Sequence, residues 1–209
     1  MKRIIFKNIY KNKKDNNKNK EKTICITGVT RKQGVTHTCL FIANFISSVL
    51  REKVLYIEYS KESSLLTLVG DKSISIGEVI GYQYKSVNYV LTDDVDVIRR
   101  LLSSKKGWIV LDLKALDDKS AVIFNQCNKK IVIGSFLPWQ RRDYHEFIRK
   151  NIRRKHDINS VDFYQKNKDK EGEKAFGKIY GVKLKSLPVI NNPFSLKEEN
   201  FEEIINVLM

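Results

Sequence analysis

The sequence predicts an α/β fold: a doubly wound, mostly parallel sheet with helices on both faces. Three observations carry this. Apolar, β-branched runs at 24–26, 54–59, 108–113 and 130–134 are apolar on both sides, as in strands covered on each face. Segments of helical period lie between them, and strands alternating with helices define the doubly wound class. The first run passes through a loop with Gly28 and Gly34 straight into a helix. That strand–loop–helix–strand order is a βαβ unit, whose tight first turn is where such units bind phosphate.

The elements follow in order. Residues 23–29 are the first strand; 38–51 are the first helix, with Leu40, Phe41, Ala43, Phe45, Ile46, Val49 and Leu50 on a wide apolar face; 53–59 are the second strand. A short helix is expected over 63–69 and strands at 74–76 and 87–91, with Gly81 to Tyr84 connecting them. Asp93 is placed to cap a helix running to Lys105. The strand 108–113 follows, then a helix opened by Asp117 or Asp118 and running to Cys127, then the strand 130–134. Pro138 suits the first turn of a basic helix ending near His156, with Trp139 packing its start on the sheet and His145 and His156 at the surface. A strand over 158–164, a charged loop over 166–175, and an edge strand over 182–190 broken by Pro188 come next. Ser195 is positioned to cap a last acidic helix that turns Phe201, Ile204, Ile205 and Leu208 inward. Residues 23–209 are thus one domain. Residues 1–22 form a basic, flexible segment whose first residues, Ile4, Ile5, Phe6 and Ile9 among lysines and Arg3, suit either packing on the domain or, over 1–14, contact with an anionic membrane.

The 209 residues suffice for one good core. No apolar run approaches the ~20 residues that span a bilayer, and no secretory signal is legible, so the protein is expected in the cytoplasm, at most peripheral at the inner face of the membrane. Cys25, Cys39 and Cys127 lack metal-ligand spacing and read as buried reduced thiols. The net charge of +15 favours anionic partners, although lysine enrichment also accompanies AT-rich coding sequence.

A phosphate loop needs glycines that turn backbone N–H groups inward, a lysine for the β- and γ-phosphates and a hydroxyl for Mg²⁺. Against G-x-x-x-x-G-K-[ST], the window Arg31-Lys32-Gln33-Gly34-Val35-Thr36-His37-Thr38 matches only at the last hydroxyl. Yet Lys32-Gln33-Gly34-Val35-Thr36-His37-Thr38 resembles, position by position, the deviant loop K-G-G-V-G-K-[ST] of the ParA/MinD group of P-loop ATPases. The second strand ending in Glu58, the hhhhD strand ending in Asp112 and Leu187-Pro188 before the last helix extend the resemblance over most of residues 23–209.

The resemblance implies a P-loop NTPase-like fold and a nucleotide site at Lys32, Gln33, Gly34, Val35, Thr36, His37 and Thr38. It implies Mg²⁺ at Thr38 and Asp112, and, were the site active, roles for Lys32 across a dimer and for Glu58 and Asp112. The departures point the other way. Thr36 replaces a glycine, where a β-branched residue at positive φ would be strained. His37 replaces the phosphate-clamping lysine, is shorter and lacks a lysine's permanent charge. The segment after Asp162-Phe163-Tyr164-Gln165, which would meet the base, holds no evident adenine-reading asparagine. A plain alternative makes Thr36 the cap of the first helix, with His37 exposed. The cofactor expectation is therefore none, or weakly bound ATP or ADP with Mg²⁺.

Three functional readings compete. The first, and the expected one, is a degenerate ParA/MinD-like scaffold that docks a partner protein and hydrolyses little or nothing. The second is an ATP-dependent dimerisation switch in which Lys32 and His37 share the lysine's work. The third is a basic module that holds DNA or an anionic membrane through Arg141 to Lys155 and the N-terminal lysines.

Overall fold

A computed structural model describes residues 22–63, 65–103, 107–152 and 157–209. The expectations for the N-terminal segment and for Arg153, Arg154, Lys155 and His156 lie outside those residues.

β1 (Thr23–Gly28) leads through a loop into α1 (Val35–Phe45), which continues as a π-helical turn to Leu50. There follow β2 (Val54–Tyr59), α2 (Leu66–Val69), β3 (Ser73–Ile76), β4 (Val79–Tyr84), β5 (Val87–Thr92), α3 (Val95–Ser103), β6 (Trp108–Ala115) and α4 (Asp118–Gln126). The second half comprises β7 (Lys129–Gly134), α5 (Arg141–Phe147, with a π-helical turn to Ile152), β8 (Val161–Gln165), α6 (Lys170–Tyr180), β9 (Leu184–Ser186) and α7 (Phe201–Leu208). The nine strands among the described residues form one sheet in the order β3-β4-β5-β2-β6-β1-β7-β8-β9. Every pairing from β5 to β9 is parallel, and the β3-β4-β5 edge is antiparallel. The doubly wound, mostly parallel α/β architecture is thus as the strand runs predicted.

Alternation along the strands divides the core between the two faces. Ile24 and Ile26 of β1, with Tyr56 and Val110, pack against Phe41 and Phe45 of α1 and Phe201 and Ile204 of α7. Cys25, Ile57, Leu111 and Leu113 face the other side, against Ile98, Phe124, Phe147 and Phe176. Phe176 anchors that side, with the Phe136, Tyr144 and Phe163 rings at centroid distances of 5.2, 5.3 and 5.4 Å, within the range aromatic pairs prefer.

Several local expectations are corrected. Residues Gly81 to Tyr84 belong to a strand, because a tight hairpin through Gly77 (φ 62°) returns the chain along β3. At Gly81 a Cβ would stand 2.7 Å from the Tyr89 carbonyl oxygen, so only glycine lets β4 lie that close to β5. The charged stretch 166–175 is largely helix: Asp169 caps α6 by accepting from the Glu171 amide at 3.2 Å, and Phe176 carries the buried stripe while the charges face out. Pro138 lies in a turn before the basic helix, closed by the Leu137 carbonyl on the amides of Gln140 (2.8 Å) and Arg141 (3.0 Å), and Trp139 is 75% exposed rather than packed. Asp94, not Asp93, caps α3, accepting from the amides of Asp96 (2.8 Å) and Val97 (3.2 Å). Residues 158–160 are a 3-10 turn capped by Asp157, so β8 starts at Val161. The last strand is only Leu184–Ser186, at the sheet edge. Ser195 closes a turn on Asn192 instead of capping α7, which follows a 3-10 turn at Glu198–Asn200. His145 is half-buried, bonded to the Tyr180 hydroxyl and edge-on to Phe136.

Candidate functional site

The loop between β1 and α1 leaves the carboxyl end of the central part of the sheet, between β6 and β7. The side chain of Gln33 donates to Thr30 Oγ1 at 2.7 Å and stiffens it. Two residues take left-handed backbone conformations, Lys32 (φ 64°) and Gly34 (φ 88°). Gly34 is the N-cap of α1 and no side chain caps the helix. The first-turn amides of any helix lack intrahelical acceptors, and an uncapped start presents them as a concavity suited to an anion.

The structure places the sequence-derived residues unequally. Lys32 is exposed, Gln33 and Gly34 are half-buried, and Val35 is buried. Thr36 does not carry positive φ: it lies within the right-handed turn of α1, and positive φ falls instead on Gly34, which takes it without strain, and on Lys32, which bears a Cβ. Nor does Thr36 cap the helix. His37 is half-buried; its Nε2 stands 2.7 Å from the Ile190 carbonyl oxygen, and its ring lies edge-on to Phe41 at 6.1 Å. A carbonyl only accepts, so Nε2 carries the proton and is committed to the segment after β9. Thr38 is 1% exposed, and its amide continues the helix by donating to the Gly34 carbonyl at 2.9 Å.

Below this turn lie two buried acids. Glu58 of β2 and Asp112 of β6 are register partners in adjacent parallel strands, 1% and 0% exposed, on the same face as Tyr56 and Val110. Asp112 Oδ2 accepts from Thr36 Oγ1 at 2.6 Å and from the Tyr56 hydroxyl at 2.9 Å; its Oδ1 accepts from the Lys114 amide at 3.0 Å. Glu58 accepts from the Ser63 hydroxyl and is ion-paired with Lys114. Burial and the Asp112 charge push the Tyr56 phenol far above its ordinary value, which keeps it a donor.

Lys114 is the residue that sequence reasoning missed. Its ammonium is ion-paired with Glu58, lies 3.2 Å from Asp112 Oδ2 and donates to Thr36 Oγ1 at 2.6 Å. Burial lowers its affinity for the proton, but the Asp112 and Glu58 carboxylates outweigh that and hold its pKa above the lysine range. A β-bulge puts it there. Ile26 pairs with Asp112 but Gly28 with Ala115, so β6 carries one extra residue against β1, and Lys114 within it has φ 54°. Bulges re-aim side chains beside sites, and left-handed backbone costs a residue with a Cβ roughly 1–2 kcal/mol. No pattern of residue types announces a bulge; the one available signal was a lysine two positions beyond the strand's aspartate.

The donor set does not fit a bound Mg²⁺. A hard divalent ion needs several free oxygen ligands in near-octahedral array. Here the Lys114 ammonium already lies against both carboxylates, and Asp112 also accepts from Thr36, Tyr56 and the Lys114 amide, so no open position is left for the ion while that ammonium is in place. Among the described residues no group of three or more His, Cys, Asp or Glu could hold a metal ion. The loop after β8 contributes Lys168 to an open pocket of about 160 Å³ lined also by Tyr164, Lys185, Leu187, Pro188 and Asn206, and the buried Tyr164 hydroxyl has no hydrogen-bond partner among the described residues. No helix among the described residues is long and apolar enough to cross a membrane.

No protein-family model matches the chain, and no curated protein sequence matches it. Solved structures do. A ParA family ATPase from Chlorobium tepidum TLS superposes with a TM-score of 0.64 at 11% identity, over 90% of this chain and 93% of that one. A plasmid partition protein from Borrelia burgdorferi B31 bound to AMPPNP gives 0.58 at 15%, over 91% and 97%. The MinC:MinD cell division complex of Aquifex aeolicus gives 0.59 at 16%, over 88% and 94%. At these identities the likeness establishes architecture, and it coincides with the strand order and the loop derived above: the chain has a ParA/MinD-like P-loop fold.

Proposed function

We propose that the chain is a ParA/MinD-like scaffold: it retains the nucleotide-binding architecture, turns over little or no triphosphate, and works by docking a partner protein. The observation that carries this is the engagement of Asp112. Its carboxylate is satisfied by Thr36, Tyr56 and Lys114 rather than open to a metal ion or water. His37, at the clamping position, is bonded to Ile190. Positioned cations supply most of the transition-state stabilisation in phosphoryl transfer, so losing both should suppress hydrolysis by orders of magnitude.

Binding is a separate question from turnover. The uncapped start of α1 supports residual affinity for ATP or ADP at Lys32 to Thr38, and the Borrelia neighbour is bound to AMPPNP. Docking is supported by the MinD neighbour, which is in complex with MinC; the same architecture would allow a homodimer, with the exposed Lys32 at its face.

Thermal-shift titration with ATP and ADP, with and without Mg²⁺, together with phosphate release, tests the reading. The expected result is a small shift independent of Mg²⁺ and release at the buffer rate. Sustained release that Asp112→Asn abolishes would overturn it.

A second reading rests on α5, where Arg142, Arg149 and Lys150 are exposed along one element. They would serve an anionic surface, and salt-dependent retention on DNA against anionic liposomes separates the two kinds.

A further inference from the structure

Two ionised carboxylates side by side in a protein interior need a cation. Glu58 and Asp112 are neighbours in register and almost fully buried, so leaving both ionised without a counter-charge carries a large desolvation and repulsion penalty. In a site of this shape the usual solution is a divalent ion held by carboxylate and hydroxyl oxygens. Here one side chain meets all three such oxygens at once: the Lys114 ammonium reaches Glu58, Asp112 and the Thr36 hydroxyl. The chain departs from regular β-structure to achieve it. The bulge in β6 and the left-handed φ of Lys114 re-aim a side chain over the carboxylates. Strained backbone persists where surrounding contacts hold it, and here those contacts are the cluster itself, with the Lys114 amide on Asp112 and its carbonyl accepting from Thr27 Oγ1 at 3.2 Å.

We propose that Lys114 is a built-in substitute for a divalent cation: its ammonium occupies the place between Glu58, Asp112 and Thr36 that a hard metal ion would take, and removing it opens an oxygen site for such an ion. The inference extends the function proposed above to the cation of the same site. It is read with metal alone: a Lys114→Met variant that ignores Mn²⁺ overturns this inference and leaves the nucleotide reading standing, whereas a Mn²⁺ response of wild type counts against both.

The test uses the full chain and Mn²⁺, a paramagnetic ion of the same ligand preference. Wild type, Lys114→Met and Lys114→Met/Asp112→Asn are compared by thermal unfolding in EDTA and in millimolar Mn²⁺, and by Mn²⁺ paramagnetic resonance. Wild type should show no bound Mn²⁺ and no change in Tm. Lys114→Met should bind Mn²⁺ and gain about 3 °C or more. The double variant should lose that response. Lys114→Met that folds but ignores Mn²⁺, or wild type with a Mn²⁺ response that Asp112→Asn removes, overturns the proposal. Should Lys114→Met fail to fold in EDTA, refolding is monitored by circular dichroism with and without Mn²⁺. Recovery only with the ion supports the proposal, and recovery in neither condition overturns it.

Discussion

Thr36 Oγ1 stands 2.6 Å from Asp112 Oδ2 and ties the first turn of α1 to the end of β6. The position that carries a glycine in the loop this chain resembles has here become a structural hydroxyl in right-handed backbone. Thr36→Ala should therefore cost about 1–2 kcal/mol, because a buried carboxylate loses a donor. Thr36→Gly should cost roughly 0.5–1 kcal/mol more, since no positive φ is waiting to be relieved and glycine weakens the helix. Urea unfolding of the two variants checks the order; Thr36→Gly more stable than Thr36→Ala would mean that the turn is strained after all.

Lys114 and Asp112 should be energetically coupled. Lys114→Met leaves two adjacent buried carboxylates without their cation and should destabilise by about 2–3 kcal/mol, at the low end for a broken buried pair because the lysine side chain is 37% exposed. Combining it with Asp112→Asn removes one of the stranded charges. The double variant should then cost about 1–2 kcal/mol less than the sum of the singles. Additivity of the two substitutions in denaturant unfolding would show that the ammonium is not what those carboxylates rely on.

How much of this was legible without coordinates follows from which physics each feature obeys. β1, β2, β6 and β7 are buried on both faces, so apolar runs marked them, and with them came the loop at the end of β1 and the acids Glu58 and Asp112 late in their strands, though not the register that makes those two neighbours. β4 was lost because it sits in an antiparallel edge hairpin, half-exposed and carrying Gly81, so neither alternation nor apolarity stood out. α6 was lost because its charges outnumber its buried residues, although Asp169 before it and Gly181 (φ 73°) after it were readable as caps. Lys114 was out of reach for a different reason. Its position depends on a register shift between β1 and β6, a relation between two strands that neither strand encodes alone.

Asp162 gives the fold an acid-sensitive clasp. It accepts from Lys129 Nζ at 2.7 Å and Lys185 Nζ at 2.6 Å, joining β7, β8 and β9 at the edge. Burial pushes its pKa up, but the two lysines outweigh burial and hold it below the ordinary carboxylate range. With a folded value below the unfolded one, its contribution is fully present above the unfolded pKa of about 4 and is lost as pH falls through the folded value. Asp162→Asn should destabilise by about 1–2 kcal/mol at neutral pH and flatten the loss of stability below about pH 4. Tm against pH for the two proteins is the measurement, and parallel acid limbs would count against the clasp.

Gly34 should behave as a backbone residue rather than a packing one. A Cβ there meets nothing within 4 Å, yet φ is 88°. Gly34→Ala should cost about 1–2 kcal/mol from left-handed strain alone, and Gly34→Asn distinctly less, because asparagine tolerates that region. Equal stability of Gly34→Ala and wild type by thermal unfolding would mean that the loop is free to leave this conformation.

Placing a lysine at position 37 separates the loop's part in the proposed lack of turnover from that of the cation site. His37→Lys forfeits the bond to the Ile190 carbonyl, worth about 0.5–1.5 kcal/mol, and places a full positive charge at the uncapped start of α1. An ATP-induced thermal shift should therefore grow relative to the variant's own ligand-free Tm. Hydrolysis should not follow, because Asp112 remains satisfied by Thr36, Tyr56 and Lys114, and one added charge cannot free it. Phosphate release at the buffer rate alongside the larger shift is the expected pair of readings. Turnover rescued by His37→Lys alone would locate the whole deficit in the loop and leave the Lys114 cluster without a part in it.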